Sequence, residues 1–135
     1  MDDAGARCAK NAGAVFSLTF HAVWCPKYRR PVLTAPVEAR LTEIIREIAA
    51  NRERTVHALE VVPDHLHLFV ETDPRWAPAE IVGKFKAVSS RLLRQDFPAL
   101  RSRLPTLWSR SDFIATVGAV SEATIRRYSA GQKGV

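Results

Sequence analysis

Cysteine is scarce in this chain, with Cys8 and Cys25 as the only two among 135 residues. They form no Cys-x-x-Cys spacing, so the sequence indicates neither a zinc knuckle nor a disulfide framework. No apolar run approaches the roughly 20 residues that a membrane-spanning helix needs. The polar first 13 residues contain no secretory signal. From these absences we expect a cytoplasmic protein that does not associate with membranes.

Acidic residues are also in the minority. Lys plus Arg number 20 against 14 Asp plus Glu, which gives a net charge of +6 and a pI near 9.9. This balance favours anionic partners, with nucleic acid first and an anionic membrane surface second. The hydrophobic fraction of 47% is enough for a globular core. We therefore expect one domain over residues 1–135, with a loose N-terminal arm over 1–13.

The hydrophobic periodicity changes along the chain between two, typical of strands, and three to four, typical of helices. The resulting order is β-α-β-β-α-β-α. We predict an α+β, ferredoxin-like split βαβ fold (β-α-β-β-α-β) with an antiparallel sheet, both long helices on one face, and an appended C-terminal helix. Basic, irregular loops are expected at 25–31 and around Arg101 and Arg103. The predicted strands are 15–24, 55–62, 65–71 and one within 107–117; the predicted helices are 37–51, 78–96 and 119–135.

Two histidines lie two residues apart on the third predicted strand, so His65 and His67 share one face while Leu66 between them faces the helices. Two imidazoles at this separation can bind one divalent ion together. Glu60 and His21 are expected on the same open face of the sheet. The alternative is a pair of surface histidines without a ligand.

The last predicted helix carries Tyr128 and Gln132, four residues apart and therefore on one helical face. Arg126 and Arg127 precede the tyrosine and could hold a phosphodiester against its hydroxyl. The alternatives are a packing tyrosine, a solvated glutamine and a solvated basic face. Gly131 interrupts the helix before Gln132, since glycine is a frequent helix terminator.

Taken together, these segments resemble the single-tyrosine HUH transposases of small bacterial insertion sequences. The resemblance extends over nearly the whole chain, in order and at the family's spacing. Asp112 departs from it, because family members often have an aromatic residue there. The matching segments are HAVWCPKYRRP at 21–31, VPDHLHL at 62–68, WSRS at 108–111, ATVG at 115–118, VSE at 120–122 and Tyr-x-x-x-Gln at 128–132.

The resemblance implies roles for these residues. Tyr128 would be the nucleophile that becomes linked to a DNA 5′-phosphate, and His65, His67 and Gln132 would hold a divalent metal. Mg²⁺ or Mn²⁺ suits this donor set, with the nitrogens favouring Mn²⁺; no nucleotide cofactor is implied. Gly118 would be the hinge of a mobile C-terminal helix over 119–135. The family implies a homodimer acting on single-stranded DNA with hairpins at transposon ends.

Basic residues could follow the phosphates of such a strand, or could merely solvate the surface. Trp76 and Trp108 could stack on bases, whereas Trp24 is expected in the core by its strand phase. The candidate DNA-binding residues are Lys27, Arg29, Arg30, Lys84, Lys86, Arg91, Arg94, Arg126 and Arg127, with Arg101, Arg103 and Arg110 as further basic positions.

Three other functions stay open at this point. A domesticated, REP-associated tyrosine transposase would use similar chemistry on chromosomal hairpins. A non-enzymatic single-strand nucleic-acid-binding module could share the fold, but would place aromatic residues at the centre of the open face. A metal-dependent hydrolase would cut DNA without needing Tyr128.

Overall fold

The computed structural model describes residues 17–52 and 54–117. The described residues form a four-stranded sheet and three α-helices, and the helices lie between strands along the chain. The strands are β1 (Leu18–Pro26), β2 (Thr55–Val62), β3 (His65–Thr72) and β4 (Trp108–Val117). The helices are α1 (Val37–Asn51), α2 (Pro78–Asp96) and the short α3 (Pro98–Arg103), and a single 3-10 turn (Lys27–Arg29) follows β1.

The sheet has the strand order β2-β3-β1-β4, and every neighbouring pair is antiparallel. β2 and β3 form the predicted hairpin, joined by the Pro63-Asp64 turn. The predicted antiparallel sheet with helices is therefore confirmed. β3 lies between β1 and β2, so the two histidines predicted on it lie inside the sheet and not at an edge.

One face of the sheet is covered by α1 and α2, as the periodicity predicts. Phe20 and Trp24 from β1 and Leu66 and Leu68 from β3 are almost fully buried there. Because alternate strand residues face opposite sides, this leaves the odd-numbered residues of β1 and β3 on the other face. The helical residues of the same core include Leu41, Ile44 and Ile45 of α1, and Ile81, Val82 and Phe85 of α2.

Two segments predicted to be irregular are ordered, which corrects the sequence interpretation. In 25–31, β1 continues to Pro26 before the 3-10 turn, because this proline lies at the strand end, beyond a register shift against β4. Arg101 and Arg103 belong to α3, which begins with Pro98 and buries Leu100. A helix of six residues is too short to produce a periodic signal.

Tryptophan positions also differ from the prediction in one case. Trp24 lies in the core as expected. Trp108 is 5% exposed, and its indole Nε1 donates a hydrogen bond to Ser89 Oγ at 3.0 Å. Trp108 therefore packs α2 against β4 and is not available to stack on a base. Trp76 is 49% exposed, as a stacking residue would need to be.

Several predicted features lie outside the described residues. These are the N-terminal arm, the hinge Gly118, the final helix and its residues Arg126, Arg127, Tyr128 and Gln132. Within 17–52 and 54–117, none of the helices is long and apolar enough to cross a membrane.

Candidate metal and DNA-binding site

The two histidines of β3 lie side by side on the sheet face opposite the helices. Their ring centroids are 4.9 Å apart and their planes are nearly perpendicular. His67 pairs in register with Glu60 of β2 and with Val23 of β1. Cross-strand partners share a face, so the predicted placement of Glu60 beside the histidines is confirmed.

His21 of β1 is the third imidazole of this face. Its Nε2 lies 3.1 Å from Nδ1 of His67, and the two rings are stacked with centroids 5.3 Å apart. On its other side His21 stacks on Phe69 at 4.6 Å. His21 is only 7% exposed, so its placement beside His67 depends on packing inside the sheet.

His65 has a different neighbour. Its Nδ1 lies 2.8 Å from Oδ1 of Asp64, the residue that precedes it in the hairpin turn. The other carboxylate oxygen, Oδ2, accepts a hydrogen bond from the Arg29 guanidinium at 3.2 Å. The hydrogen bond with His65 and the nearby Arg29 charge hold the pKa of Asp64 below its usual range.

Burial favours the neutral form of both inner imidazoles. Desolvation by burial, with the nearby His65 and His21, lowers the pKa of His67 to about 4. Burial also lowers the pKa of His21. Metal ligation requires the neutral imidazole with a free ring lone pair, so His67 is in the correct protonation state without any loss of a proton on binding.

A pocket of about 460 Å³ opens beside the two histidines. It is bounded by the end of β1, the 3-10 turn, β3 and the first half of β4. Phe113, 58% exposed, stands on its wall and makes an edge contact with His21 at 6.0 Å between centroids. Besides His65, His67 and Phe113, its walls include Cys25, Arg29 and Asp112.

The donor set of this pocket fits a divalent metal only in part. Among the described residues no cluster of three or more His, Cys, Asp or Glu side chains is arranged to hold a metal ion. His65 and His67 supply two nitrogen donors, and the sequence predicts two such donors on this strand. A site of this kind takes its remaining ligands from water, from substrate oxygens or from a further side chain.

The basic turn after β1 has unusual backbone geometry. Tyr28 and Arg29 both adopt the left-handed region, with φ of 60° and 52°. Each such residue costs of the order of 1 kcal/mol, and strain of this kind concentrates at functional sites. Lys27 N–H donates to Leu107 O at 2.8 Å, which secures the turn to the segment before β4. Arg29 thereby lies on the wall of the histidine pocket.

A second concave surface lies elsewhere and shares none of the pocket's described lining residues. Two adjoining pockets of about 200 and 350 Å³ share Arg52, Arg54 and Trp76. We call this surface the Trp76 groove; its other lining residues are Asp73, Arg75, Glu80, Ile81 and Lys84. Burial, and then the Arg52 charge, lowers the pKa of Arg54, whereas Arg75 Nε donates a hydrogen bond to Asp73 Oδ2 at 2.7 Å.

Sequence reasoning found only part of this groove. Trp76 and Lys84 were predicted as candidate DNA contacts, whereas Arg52, Arg54 and Arg75 were not. The missing signal is tertiary: residues after α1 and residues before α2 lie far apart in sequence and meet at one end of the sheet. The available signal in the sequence was Trp76 directly after Arg75, between two predicted elements.

The other predicted DNA-binding residues are dispersed. Arg30 and Arg91 are exposed, and Arg94 donates a hydrogen bond to Pro105 O at 3.2 Å. Lys27 Nζ lies 5.5 Å from the Tyr28 ring centroid. Lys86 points inward: its Nζ donates to Ser109 O at 2.8 Å and to Asp112 Oδ2 at 3.1 Å. The Asp112 charge, which departs from the family pattern, is therefore compensated within the chain.

Lys84 and Lys86 lie two residues apart on α2 and provide a matched pair. We expect Lys86→Ala to lower the free energy of unfolding by about 1–2 kcal/mol, since it removes charged hydrogen bonds from a side chain only 13% exposed. Lys84→Ala should leave stability unchanged, weaken DNA binding and reduce its salt dependence by about one ion. Urea unfolding and DNA titrations at several salt concentrations measure both; equal unfolding midpoints for the two variants would contradict the assignment.

Comparison with known proteins places these features in a family. Residues 14–132 match the family described as "Transposase IS200 like". The ISDra2 transposase TnpA of Deinococcus radiodurans is 37% identical over 125 residues, covering 91% of this chain and 89% of that protein. The transposase of insertion sequence IS200 from Salmonella typhimurium is 27% identical over 73% of this chain and 66% of that protein.

Solved structures agree with the sequence relatives. A crystal structure described as a transposase from Deinococcus radiodurans R1 has a TM-score of 0.73 and 34% identity, covering 91% of this chain and 96% of that chain. A REP-associated tyrosine transposase bound to a REP hairpin has a TM-score of 0.59 at 14% identity, over 82% of this chain and 61% of that one, and is similar in fold alone. The sequence match over residues 14–132 and the relative at 37% identity show that this chain belongs to the IS200-like transposase family of insertion sequences.

Proposed function

We propose that this chain is a single-stranded DNA transposase of the HUH type, which cuts and rejoins hairpin-bearing transposon ends through a 5′-phosphotyrosine intermediate. The observation that carries the proposal is the pair His65 and His67, side by side in an open pocket, in a chain that belongs to a transposase family. The fold proposed around it is a split βαβ sheet followed by a C-terminal helix that bears Tyr128.

Tyr128 is proposed as the nucleophile. Its phenolic oxygen forms a bond to the phosphorus of one phosphodiester, and the bond from that phosphorus to the 3′-oxygen breaks to free a 3′-hydroxyl. The bond energy is retained in the protein–DNA linkage, so a 3′-hydroxyl can reverse the reaction on a new strand without a nucleotide cofactor. Arg126 and Arg127 would hold the phosphate beside the tyrosine.

His65 and His67, with Gln132 as the proposed third ligand, would hold Mg²⁺ or Mn²⁺. When bound, such an ion withdraws electron density from the phosphate and neutralises developing charge, which offsets the weak nucleophilicity of a phenol with a pKa near 10. The neutral state of His67 supports this role. The wall residues Arg29 and Phe113 would orient the strand, one by contact with phosphate and the other by contact with a base.

The Trp76 groove is proposed as a DNA-contacting surface away from the histidine pocket. It combines a half-exposed indole with an excess of cationic over acidic side chains, Arg52, Arg54, Arg75 and Lys84 against Asp73 and Glu80. Aromatic rings provide stacking surfaces for unpaired bases, and the cations follow the backbone phosphates. This combination supports a folded DNA strand as the partner.

We expect Trp76→Ala to weaken binding of hairpin-bearing single-stranded DNA by about 5- to 160-fold, because stacking of one base on an aromatic ring is worth about 1–3 kcal/mol. Trp76→Phe keeps a flat ring and should recover most of the affinity. Fluorescence anisotropy with a labelled oligonucleotide measures both variants. If Trp76→Ala binds like the unmodified protein while its fold is intact, the groove is not a stacking surface.

A homodimer is proposed for the active form. Among the residues that the structure describes, β4 is an edge strand of ten residues, and a long edge strand is a surface to which a second chain can add. In a dimer the C-terminal helix of one subunit could complete the histidine pocket of the other. Sedimentation equilibrium tests the assembly directly.

The catalytic proposal is tested by mixing the protein with Mn²⁺ and single-stranded DNA from the ends of its own element, then resolving the products on a denaturing gel. We expect a protein–DNA adduct that survives denaturation and disappears with a chelator. Cleavage without an adduct would indicate a hydrolase, and binding without either product would indicate a non-enzymatic module.

A further inference from the structure

His65 differs from His67 in how its ring is held. Nδ1 of His65 lies 2.8 Å from the Asp64 carboxylate, whereas Nδ1 of His67 lies 3.1 Å from another imidazole, that of His21. An ionised carboxylate only accepts hydrogen bonds, so the contact with Asp64 requires the proton of His65 on Nδ1. The lone pair of His65 then lies on Nε2. A contact between two imidazoles imposes no such choice.

Asp64 is itself held from a second direction. Arg29 donates a hydrogen bond to Oδ2, while Oδ1 accepts the one from His65, so one carboxylate joins the basic turn to the histidine. The backbone supports this arrangement independently. Leu33 N–H donates to Pro63 O at 2.9 Å, which ties the segment after the basic turn to the hairpin turn that contains Asp64.

The basic turn supplies the remaining constraint. Arg29 has a left-handed backbone with φ of 52°, directly after Tyr28 at 60°. Strained conformations of side chains other than glycine persist where the surroundings determine them. Here the turn is held by the backbone hydrogen bonds of Lys27 and Leu33, and the Arg29 guanidinium reaches Asp64.

We infer that Arg29 and Asp64 are positioning residues that hold the His65 ring in its Nδ1–H tautomer, with Nε2 as the donor atom for a divalent cation. The inference rests on the proposed function for the metal, but the tautomer is a property of the protein alone. Carboxylate partners that orient metal-binding histidines in this way typically change metal affinity 10- to 100-fold when removed. Asp64 is the larger contributor, because Arg29 acts through it and is 64% exposed.

The tautomer is measured first, in metal-free protein, by the imidazole ¹⁵N shifts of His65 in long-range ¹H–¹⁵N spectra. We expect the Nδ1–H form in the unmodified chain and a shift toward Nε2–H, the form that free imidazole side chains favour, in Asp64→Ala. Asp64→Asn keeps an acceptor oxygen but loses the charge, and it should give an intermediate population. A His65 ring that is already Nε2–H in the unmodified protein would overturn the inference.

Mn²⁺ affinity is then measured by electron paramagnetic resonance at one pH, without DNA. We expect Asp64→Ala to bind Mn²⁺ about 10- to 100-fold more weakly and Arg29→Ala a few-fold more weakly. Arg30→Ala, which removes an equal charge from the next exposed position, is the matched control and should bind as the unmodified protein does. Thermal unfolding of each variant identifies any loss of fold. If Asp64→Ala is unfolded, the Mn²⁺ affinity of Asp64→Asn decides whether Asp64 positions His65.

The outcomes separate this inference from the proposed function. Lost affinity in His65→Ala with unchanged affinity and tautomer in Asp64→Ala would overturn the positioning role alone. Unchanged affinity in His65→Ala itself would overturn the proposed metal site. Equal losses in Arg29→Ala and Arg30→Ala would indicate a general charge effect and overturn the role of Arg29.

Discussion

Replacing Tyr128 by phenylalanine will abolish the protein–DNA adduct while leaving DNA binding intact. The variant lacks only the phenolic oxygen that we propose attacks phosphorus. Removal of a catalytic nucleophile commonly costs far more than 10³-fold in rate, so we expect a loss of at least about 10³-fold. Denaturing gels with end-labelled single-stranded DNA and Mn²⁺ measure the adduct, and anisotropy measures binding.

The chain contains a natural control for this experiment. Tyr28 is the only other tyrosine in the sequence, and it is exposed in the basic turn beside the histidine pocket. Tyr28→Phe should therefore form the adduct at close to the normal rate. An adduct that persists in Tyr128→Phe and disappears in Tyr28→Phe would reassign the nucleophile, and cleavage by both variants without an adduct would indicate hydrolysis.

Replacing either His65 or His67 by alanine will remove metal-dependent cleavage. Each substitution deletes one of the two nitrogen donors on β3, and we expect Mn²⁺ affinity to fall by at least about 100-fold, beyond the usual effect of losing a residue that only orients a ligand. Cleavage at low Mn²⁺ should become undetectable, and higher Mn²⁺ should recover part of it if the remaining ligands still hold the ion. Titration calorimetry gives the affinity, and the gel assay gives the rate.

His57 is the matched control for these substitutions. It lies on β2 and contacts Glu71, with 2.8 Å between His57 Nε2 and Glu71 Oε1, outside the residues that line the pocket. His57→Ala should retain both Mn²⁺ binding and cleavage. Cleavage at the normal rate in His65→Ala at low Mn²⁺, or in the presence of a chelator, would show that the reaction needs no metal at this position.

Several features of the fold could be predicted because they depend on local pattern. The 3.6-residue stripe gave both ends of α1, from Val37 to Asn51, and the β2–β3 hairpin follows from β-branched runs on both sides of Pro63-Asp64. Hydrophobic periodicity did not predict the elements that are short or that end at a proline. β1 runs on to Pro26, and α3 has only six residues. Trp108 is buried in the core and hydrogen-bonded to Ser89, 19 residues away, a contact that local pattern does not reveal.

The candidate site also contains residues whose placement could be predicted from the sequence and residues whose placement could not. Strand alternation is enough to place His65 and His67 on one face, since side-chain direction has a period of two. Residue type and spacing are not enough to predict the role of Lys86. A lysine on a basic helix is a candidate DNA contact, but the Lys86 ammonium donates hydrogen bonds to Ser109 O and Asp112 Oδ2. The direction of a long charged side chain depends on which acceptors the fold brings near it.

The sequence by itself determined the family, the four strands and two long helices of the described residues, the shared face of the two histidines and the basic character that favours DNA. These properties reside in residue identity and short-range spacing, which folding does not alter. Only the tertiary structure decided which partners hold each imidazole and which cations gather around Trp76. His21 meets His67 from 46 residues away and Arg29 meets Asp64 from 35, because strand register and the packing of turns, and not proximity in the chain, determine those contacts.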